Sequence, residues 1–410
     1  MKINQQPAPE PEEKPLQPLN VGPQNVVPVK PVEVGGLFDG RSTENRKRIL
    51  NREVENTKSL EGALTMGLGW ILRQQESDGR WKWDGDFPDA CDWPNLHTDT
   101  GATAMALMAF LGDGQTHQSA KNDGIQEAIQ KGLNWLISQQ AKNGSGDFHD
   151  RSQEYGREPA FYAHSQATIV MCEAYALTRD RKLLAAAQKG VQFLLESQQP
   201  DQGGWRYQTQ DSRTEGDLSV TGWALMALHS ARAVGISVAD EPFHRASKFL
   251  NSVQEQNGAH YRYQPSKDWP VTRTMTAEGL LCRQYLGWPK QQPQLEAGGQ
   301  LLWDEDSPPR WNDPRRNVYE WYFTGQLLHN LNDERWKAWY AAVQKEIIDA
   351  QLSAGKDYRG SWNPDAPDGA STAERGTRYD RADNVGRLYM TAMCLLILET
   401  PIRHQPIYGN

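Results

Sequence analysis

Four cysteines in 410 residues are too sparse to read as a framework, and Cys172, Cys282 and Cys394 each fall in an apolar helical stretch where a buried free thiol is the ordinary outcome. No apolar run approaches the roughly 18 residues that a membrane-spanning helix needs, and the start, MKINQQPAPEPEE, has no apolar signal segment. Lys/Arg runs are also missing. With a formal net charge of -8 the chain has no general attraction to nucleic acid or to an anionic membrane. There is no His-Glu-x-x-His or Cys-x-x-Cys spacing, no Gly-x-Gly-x-x-Gly turn, no Walker loop and no Ser-centred elbow. These absences exclude the commonest metal, nucleotide and hydrolase signatures. The chain as given is expected to be soluble. Its compartment is open: cytoplasmic, or periplasmic if a leader or anchor has been removed.

What is present is aromatic and repetitive. Hydrophobic residues make up 38%, with 15 Trp and 14 Tyr, enough for a substantial core. Residues 1–57 read as a disordered Pro-rich tail or linker with a lead-in, since PAPEPEEKP and its surroundings show no amphipathic period. Beyond it a phrase recurs: an amphipathic stretch ending in Gln, a turn, then an aromatic residue. It reads GLGWILRQQESDGRW from Gly67, GLNWLISQQAKNGSGDF from Gly132 and KGVQFLLESQQPDQGGW from Lys189, with weaker copies from Arg245 and Ala342. A period of roughly 50 to 65 residues implies similar units, each too small to bury its own apolar face. In the third copy, Gln198 is placed to satisfy backbone groups at the helix end, Gly203 to turn the chain and Trp205 to cover the junction.

Between the phrases lie stretches that are apolar around most of their circumference, as expected of buried helices. They are Thr98 to Gly112, Ala163 to Leu177, Leu218 to Gly235, Thr272 to Gly287, Val318 to Leu331 and Gly386 to Glu399. A further outer helix is expected near Gln294 to Trp303. The last inner stretch is as apolar as the middle ones, so it lacks the polar cap that an open stack requires, and closure follows. The expected fold is all-α: an α/α toroid of about six inner/outer helix pairs over residues 58–400, with 401–410 as a C-terminal tail.

The phrase resembles the Gln-Trp repeat of the squalene and oxidosqualene cyclases and of the β subunits of protein prenyltransferases. It is matched by Trp70, Ile71, Gln75, Gly79 and Trp81, and by Lys189, Gly190, Phe193, Leu194, Gln198, Gly203 and Trp205. More closely, TDTGATAMALMAFLG, SVTGWALMALHSAR and EWYFTGQLLHN resemble uncharacterised bacterial single-toroid proteins named for a prenyltransferase or squalene-oxidase repeat. The resemblance implies the fold and stops short of the chemistry. The Asp-x-Asp-Asp acid motif of the cyclases is missing, and DGDFPDACD at Asp84 to Asp92 does not replace it. The prenyltransferase zinc set is broken, because Asp217 is followed by Ser219 where a Cys is needed. The Cys-Gly-Glu-Gln motif of thioester domains is missing too.

Inner helices running the same way bring their N-termini to one mouth, where free N–H groups suit an anion or a polar head group. Near those starts lie His97, Asp99, His164, Asp217, Arg273, Tyr319, Glu320, Tyr322, Asp383 and Arg387. Asp217, Asp99 and His164 are the candidate catalytic residues, although an N-cap role also explains the two Asp. Arg273, Glu320, Tyr322, Arg387 and Trp223 are the candidate ligand-binding residues, the arginines for an anionic group and the rings for an apolar portion. No metal and no cofactor is expected; the exception to watch is the group His97, Asp99, His164 and Asp217. The first functional reading is a ligand-binding or interaction toroid holding a small molecule, lipid or glycan in a central cavity, with a protein partner as a further expectation. The alternative is an enzyme acting on an isoprenoid or a polysaccharide, and the residues alone do not decide whether the chain is catalytic.

Overall fold

The computed structural model describes residues 28–32, 36–149, 159–207, 215–304, 308–313, 316–364 and 385–409. Asp383, named above, lies outside the described residues.

The helices alternate as the apolar pattern requires. A lead-in helix, α1 (Thr43–Glu53), is followed by outer α2 (Thr57–Arg73), inner α3 (Asp99–Gly112), outer α4 (Asp123–Asn143), inner α5 (Ala160–Thr178) and outer α6 (Arg181–Ser197). Then come inner α7 (Leu218–Ala233), outer α8 (Glu241–Val253), inner α9 (Arg273–Tyr285), outer α10 (Pro293–Leu302), inner α11 (Val318–Leu331), outer α12 (Glu334–Asp349) and inner α13 (Arg387–Leu398). A short α14 (Thr400–Arg403) follows, and one two-residue hairpin, β1 (Gln254–Glu255) with β2 (His260–Tyr261), decorates the α8–α9 connection.

The inner helices are buried around their whole circumference. In α3 every residue from Thr100 to Gly112 is buried. They touch in the cyclic order α3, α5, α7, α9, α11, α13 and back to α3, which closes the ring. Outer helices bury only one face, as α6 does through Leu183, Ala187, Val191 and Leu194. The architecture is therefore an α/α toroid of paired inner and outer helices. No helix among the described residues is long and apolar enough to cross a membrane.

The recurring phrase is a joint between units. Gln75, Gln140, Gln198 and Gln351 each donate two hydrogen bonds, one to a glycine carbonyl of their own turn and one to a carbonyl of the next outer helix. Gln198 Nε2 reaches Gly203 O at 2.7 Å and Pro242 O at 2.9 Å. Gln351 reaches Gly360 O and Ala63 O, both at 2.9 Å, which ties α12 to α2 across the closure. The aromatic residue seals the joint from inside: Trp205 donates its indole N–H to Leu194 O at 2.9 Å and its backbone N–H to Thr221 Oγ1 at 3.1 Å. Gly203 adopts φ +84°, and a Cβ there would collide with the Arg245 carbonyl, so the turn accepts only glycine.

One end of the ring is plugged by the chain itself. Arg41, just before α1, and Arg403 of α14 both enter the C-terminal end of the inner ring and clasp Glu173 of α5, at 2.9 and 2.8 Å. All three side chains are fully buried. The two guanidinium groups also donate to inner-helix carbonyls, Arg41 to Leu111 O and Arg403 to Met108 O. Cations there complement the negative ends of the helix dipoles and satisfy carbonyls that lack partners. Burial alone would raise the Glu173 pKa, but Arg403 and Arg41 outweigh it and hold the group well below the ordinary carboxylate range. A small cavity of about 20 Å³ beside this plug is lined by His229, Tyr285, Gln326, His329 and His404 among others, room for no more than a water-sized guest.

Candidate functional site

With the C-terminal end plugged, the N-terminal mouth is the candidate site. Its middle is built by α7. Asp217, the N-cap, accepts from Val220 N–H and from Ser219 Oγ, both at 2.8 Å, through one carboxyl oxygen. The other oxygen takes Arg206 Nη1 at 2.7 Å. Ser219 is in turn 2.5 Å from the Tyr162 hydroxyl of α5. Arg206 also donates to the Tyr263 hydroxyl at 2.6 Å, and Tyr263 meets Tyr207 at 2.6 Å. The result is a chain of hydroxyl and charged groups running across three units around one buried carboxyl. Burial raises the Asp217 pKa against the pull of Val220 N–H, Arg206 and Ser219. Burial, then Asp217, pushes the Tyr162 hydroxyl well above its usual range.

A second layer lies one to two helical turns deeper. Trp223 stacks on Tyr322 at 5.5 Å and an interplanar angle of 13°, and Phe323 meets Trp223 edge-on. The Trp223 indole N–H donates to the Tyr319 hydroxyl at 3.0 Å. Beside them Glu278 of α9 is fully buried, lying against Gly222 of α7, where a Cβ would collide with its carboxyl. Neither of its oxygens has a hydrogen-bond partner within 3.5 Å. Burial and then Asp217 push the Glu278 pKa well above the carboxylate range, with the Tyr319 hydroxyl opposing.

The structure distributes the sequence-predicted residues over several local groups. Trp223 and Tyr322 come together as the stacked pair. Arg273 pairs with Glu320 at 3.1 Å and also donates to Leu301 O and Leu302 O. Arg387 pairs with Asp89 and donates to Ser361 Oγ and Trp362 O. Asp99 sits 3.4 Å from Arg80 in the first turn of α3, its pKa raised by burial against that arginine. His164 stands where other units place the joint threonine: its Nδ1 accepts from Phe148 N–H and lies 2.9 Å from Asp147, and its Nε2 lies 3.0 Å from Gly190 O. His97 instead lies 3.6 Å from Asp84. Among the described residues, no group of three or more His, Cys, Asp or Glu side chains is gathered so as to hold a metal ion.

Arg206, Tyr207, Tyr263 and Glu278 are missing from the sequence expectations, yet a signal existed for most of them. Right after the phrase the chain reads Trp81-Lys82-Trp83, Trp205-Arg206-Tyr207 and Tyr261-Arg262-Tyr263, an aromatic-cation-aromatic triplet whose first ring seals the joint. In two of the triplets the third ring reaches the mouth: Tyr207 and Tyr263 are only partly covered and meet through their hydroxyls.

No protein-family model matches the chain. Among solved structures it is similar to an inactive variant of the α-1,6-mannanase GH76A of Salegentibacter sp. HEL1_6 in complex with α-1,6-mannotriose, with a TM-score of 0.54 and 11% identity over 84% of this chain and 99% of that one. It is also similar to the type II terpene cyclase MstE from Scytonema, with a TM-score of 0.54 and 15% identity over 84% of this chain and 97% of that one. The likeness is one of fold. Toroids of this shape thus include a glycan-cleaving and a terpene-cyclising enzyme, and the side chains of the mouth have to separate them.

Three rings bear on that separation. Trp93, Trp269 and Tyr358 are the large apolar side chains exposed among the described residues, at 49%, 44% and 39%. All three lie in outer-to-inner connections, on the face that carries the N-termini of the inner helices. Trp269 packs edge-on against Tyr263 at 4.8 Å, which extends the hydroxyl chain outward onto an open ring face.

Proposed function

We propose that the chain is an enzyme acting on a neutral polysaccharide or oligosaccharide at the N-terminal mouth of the toroid. The observation that carries this reading is the pairing of four arginines of the mouth among the described residues. Arg206 is bound to Asp217, Arg273 to Glu320, Arg387 to Asp89 and Arg80 to Asp99. With these four charges neutralised locally, none of them offers a diphosphate a free cation, whereas a sugar finds hydroxyls and ring faces among the described residues. Partly exposed Tyr162, Tyr207, Tyr263 and Tyr319 supply both, and Trp269 supplies an open stacking surface.

An isoprenoid chain would need a long apolar slot along the ring axis, and Trp223, Tyr322 and Phe323 pack against one another there with 1% exposure each. A non-catalytic ligand-binding toroid is the second reading. It is favoured by the occupation of both Asp217 oxygens as cap and ion-pair acceptors.

The test is an assay of the purified protein against a panel of neutral oligosaccharides that includes α-1,6-mannotriose, alongside geranylgeranyl dihydroxybenzoate and squalene. New reducing ends that accumulate linearly with enzyme are the expected result. Saturable sugar binding without bond cleavage would move the chain to the second reading, and a cyclised product from an isoprenoid would overturn both.

A further inference from the structure

Glu278 has no role in the fold that its surroundings explain. It sits inside inner helix α9 between Ala277 and Gly279, fully buried, with no donor within 3.5 Å of either oxygen and the Tyr319 hydroxyl as the one uncharged polar group that acts on it among the described residues. A charge in that position would cost far more than the helix gains from any residue there, so the group persists as a neutral carboxylic acid or is replaced. Gly222 on the facing helix leaves it room, and a side chain at 222 would displace it. Between Glu278 and the mouth stands Tyr319. It is partly exposed, and its hydroxyl acts on Glu278 and accepts from the Trp223 indole N–H.

We propose that Glu278 is the proton reservoir of this mouth, delivering its proton through the Tyr319 hydroxyl to a ligand oxygen held beside Asp217. The proposal rests on the glycan reading and names the atoms that would carry it out. Tyr319 is the group that touches the substrate; Glu278 acts through it. The proton passes to the glycosidic oxygen as the bond between that oxygen and the anomeric carbon breaks, the electron pair staying on the oxygen, which leaves as an alcohol. Water adds to the anomeric carbon, and the proton it gives up returns to the Glu278 and Asp217 pair. Burial raises both groups, but Asp217 is held by Arg206 while no cation among the described residues acts on Glu278, and two carboxyl groups in such unlike surroundings are the usual basis for a division of roles. The titratable groups that act on Glu278 are Asp217 from α7 and Tyr319 from α11, with Cys282 coupled to it along α9.

The experiment has one arm that needs no substrate. A carboxyl whose folded pKa is raised contributes most to stability below its unfolded value, near 4.3, and that contribution is lost as pH climbs toward the folded value. Glu278→Gln removes the titration and keeps the shape. Urea denaturation of variant and parent from pH 4.5 to 8 is therefore expected to show the variant gaining on the parent, by up to tenfold in the folding equilibrium per pH unit. A constant difference across that range overturns the proposal, because Glu278 would then titrate alike in both states. In the second arm, turnover of the oligosaccharide found active is expected to fall at least 100-fold in both Glu278→Gln and Tyr319→Phe, with the alkaline limb of the pH profile lost in the glutamine variant. Unchanged turnover and an unchanged profile overturn the proposal while leaving the glycan reading standing. If no glycan is cleaved at all, the function reading falls and takes the delivery step with it, whatever the first arm reports of the proton on Glu278.

Discussion

Glu173→Ala is expected to destabilise the fold by about 3–5 kcal/mol, the largest effect of any single charged residue named above. The substitution removes the acid that clasps both Arg41 and Arg403 in the plug, and those arginines are 3% and 1% exposed. Neither has room to reach water, so two guanidinium groups would be left uncompensated. Glu399, the neighbouring carboxyl, does not take over: it lies 3.6 Å from Arg403, and burial pushes its pKa well above the carboxylate range. Urea unfolding followed by tryptophan fluorescence measures the loss. Glu127→Ala is the control, since its ion pair with Lys131 is exposed on the surface of α4 and its removal is expected to leave the midpoint unchanged. Equal midpoints for both variants would show that the plug is not what closes the C-terminal end.

The second large effect is expected at Asp217. Asp217→Asn keeps a good N-cap for α7, because an asparagine oxygen accepts from the Val220 N–H as a carboxylate does. What it loses is the charge that holds Arg206 and, through Arg206, Tyr263. Turnover is expected to drop by roughly 100-fold or more, the usual range for a lost acid or base, while the melting temperature moves by only a few degrees. Steady-state kinetics beside calorimetry separates the outcomes: a variant that melts much lower and turns over in proportion would make Asp217 a cap and nothing more.

The ring was legible in the sequence because its units repeat. Helices of alternating character, the turn at Gly203 and the cover by Trp205 follow from local pattern, and the structure realises each of them, whereas Gln198, expected to satisfy the end of its own helix, donates instead to the Gly203 turn and to Pro242 of the next outer helix. What pattern could not carry was pairing between distant segments. Arg273 and Arg387 look free along the chain, and their acids, Glu320 and Asp89, come from other helices and loops. Arg41 falls in the lead-in, outside any repeat, yet it reaches the centre of the ring. Glu278 is the one acid of α9, and what sets it apart, full burial with no donor within 3.5 Å, is not written in the pattern. The packing of the inner rings is another such case. Trp223 of α7 meets Tyr322 and Phe323 of α11, two helices that are not neighbours along the ring.

The central claim is that the N-terminal mouth is the working face of the toroid. Hydroxyl-radical footprinting with and without a saturating neutral oligosaccharide, α-1,6-mannotriose being the first probe, tests it most directly. Protection is predicted at Trp269, Tyr207 and Tyr263, with none at Phe38, His404 or Tyr408 near the plugged end. Protection at the plugged end with the mouth left unchanged would contradict the claim.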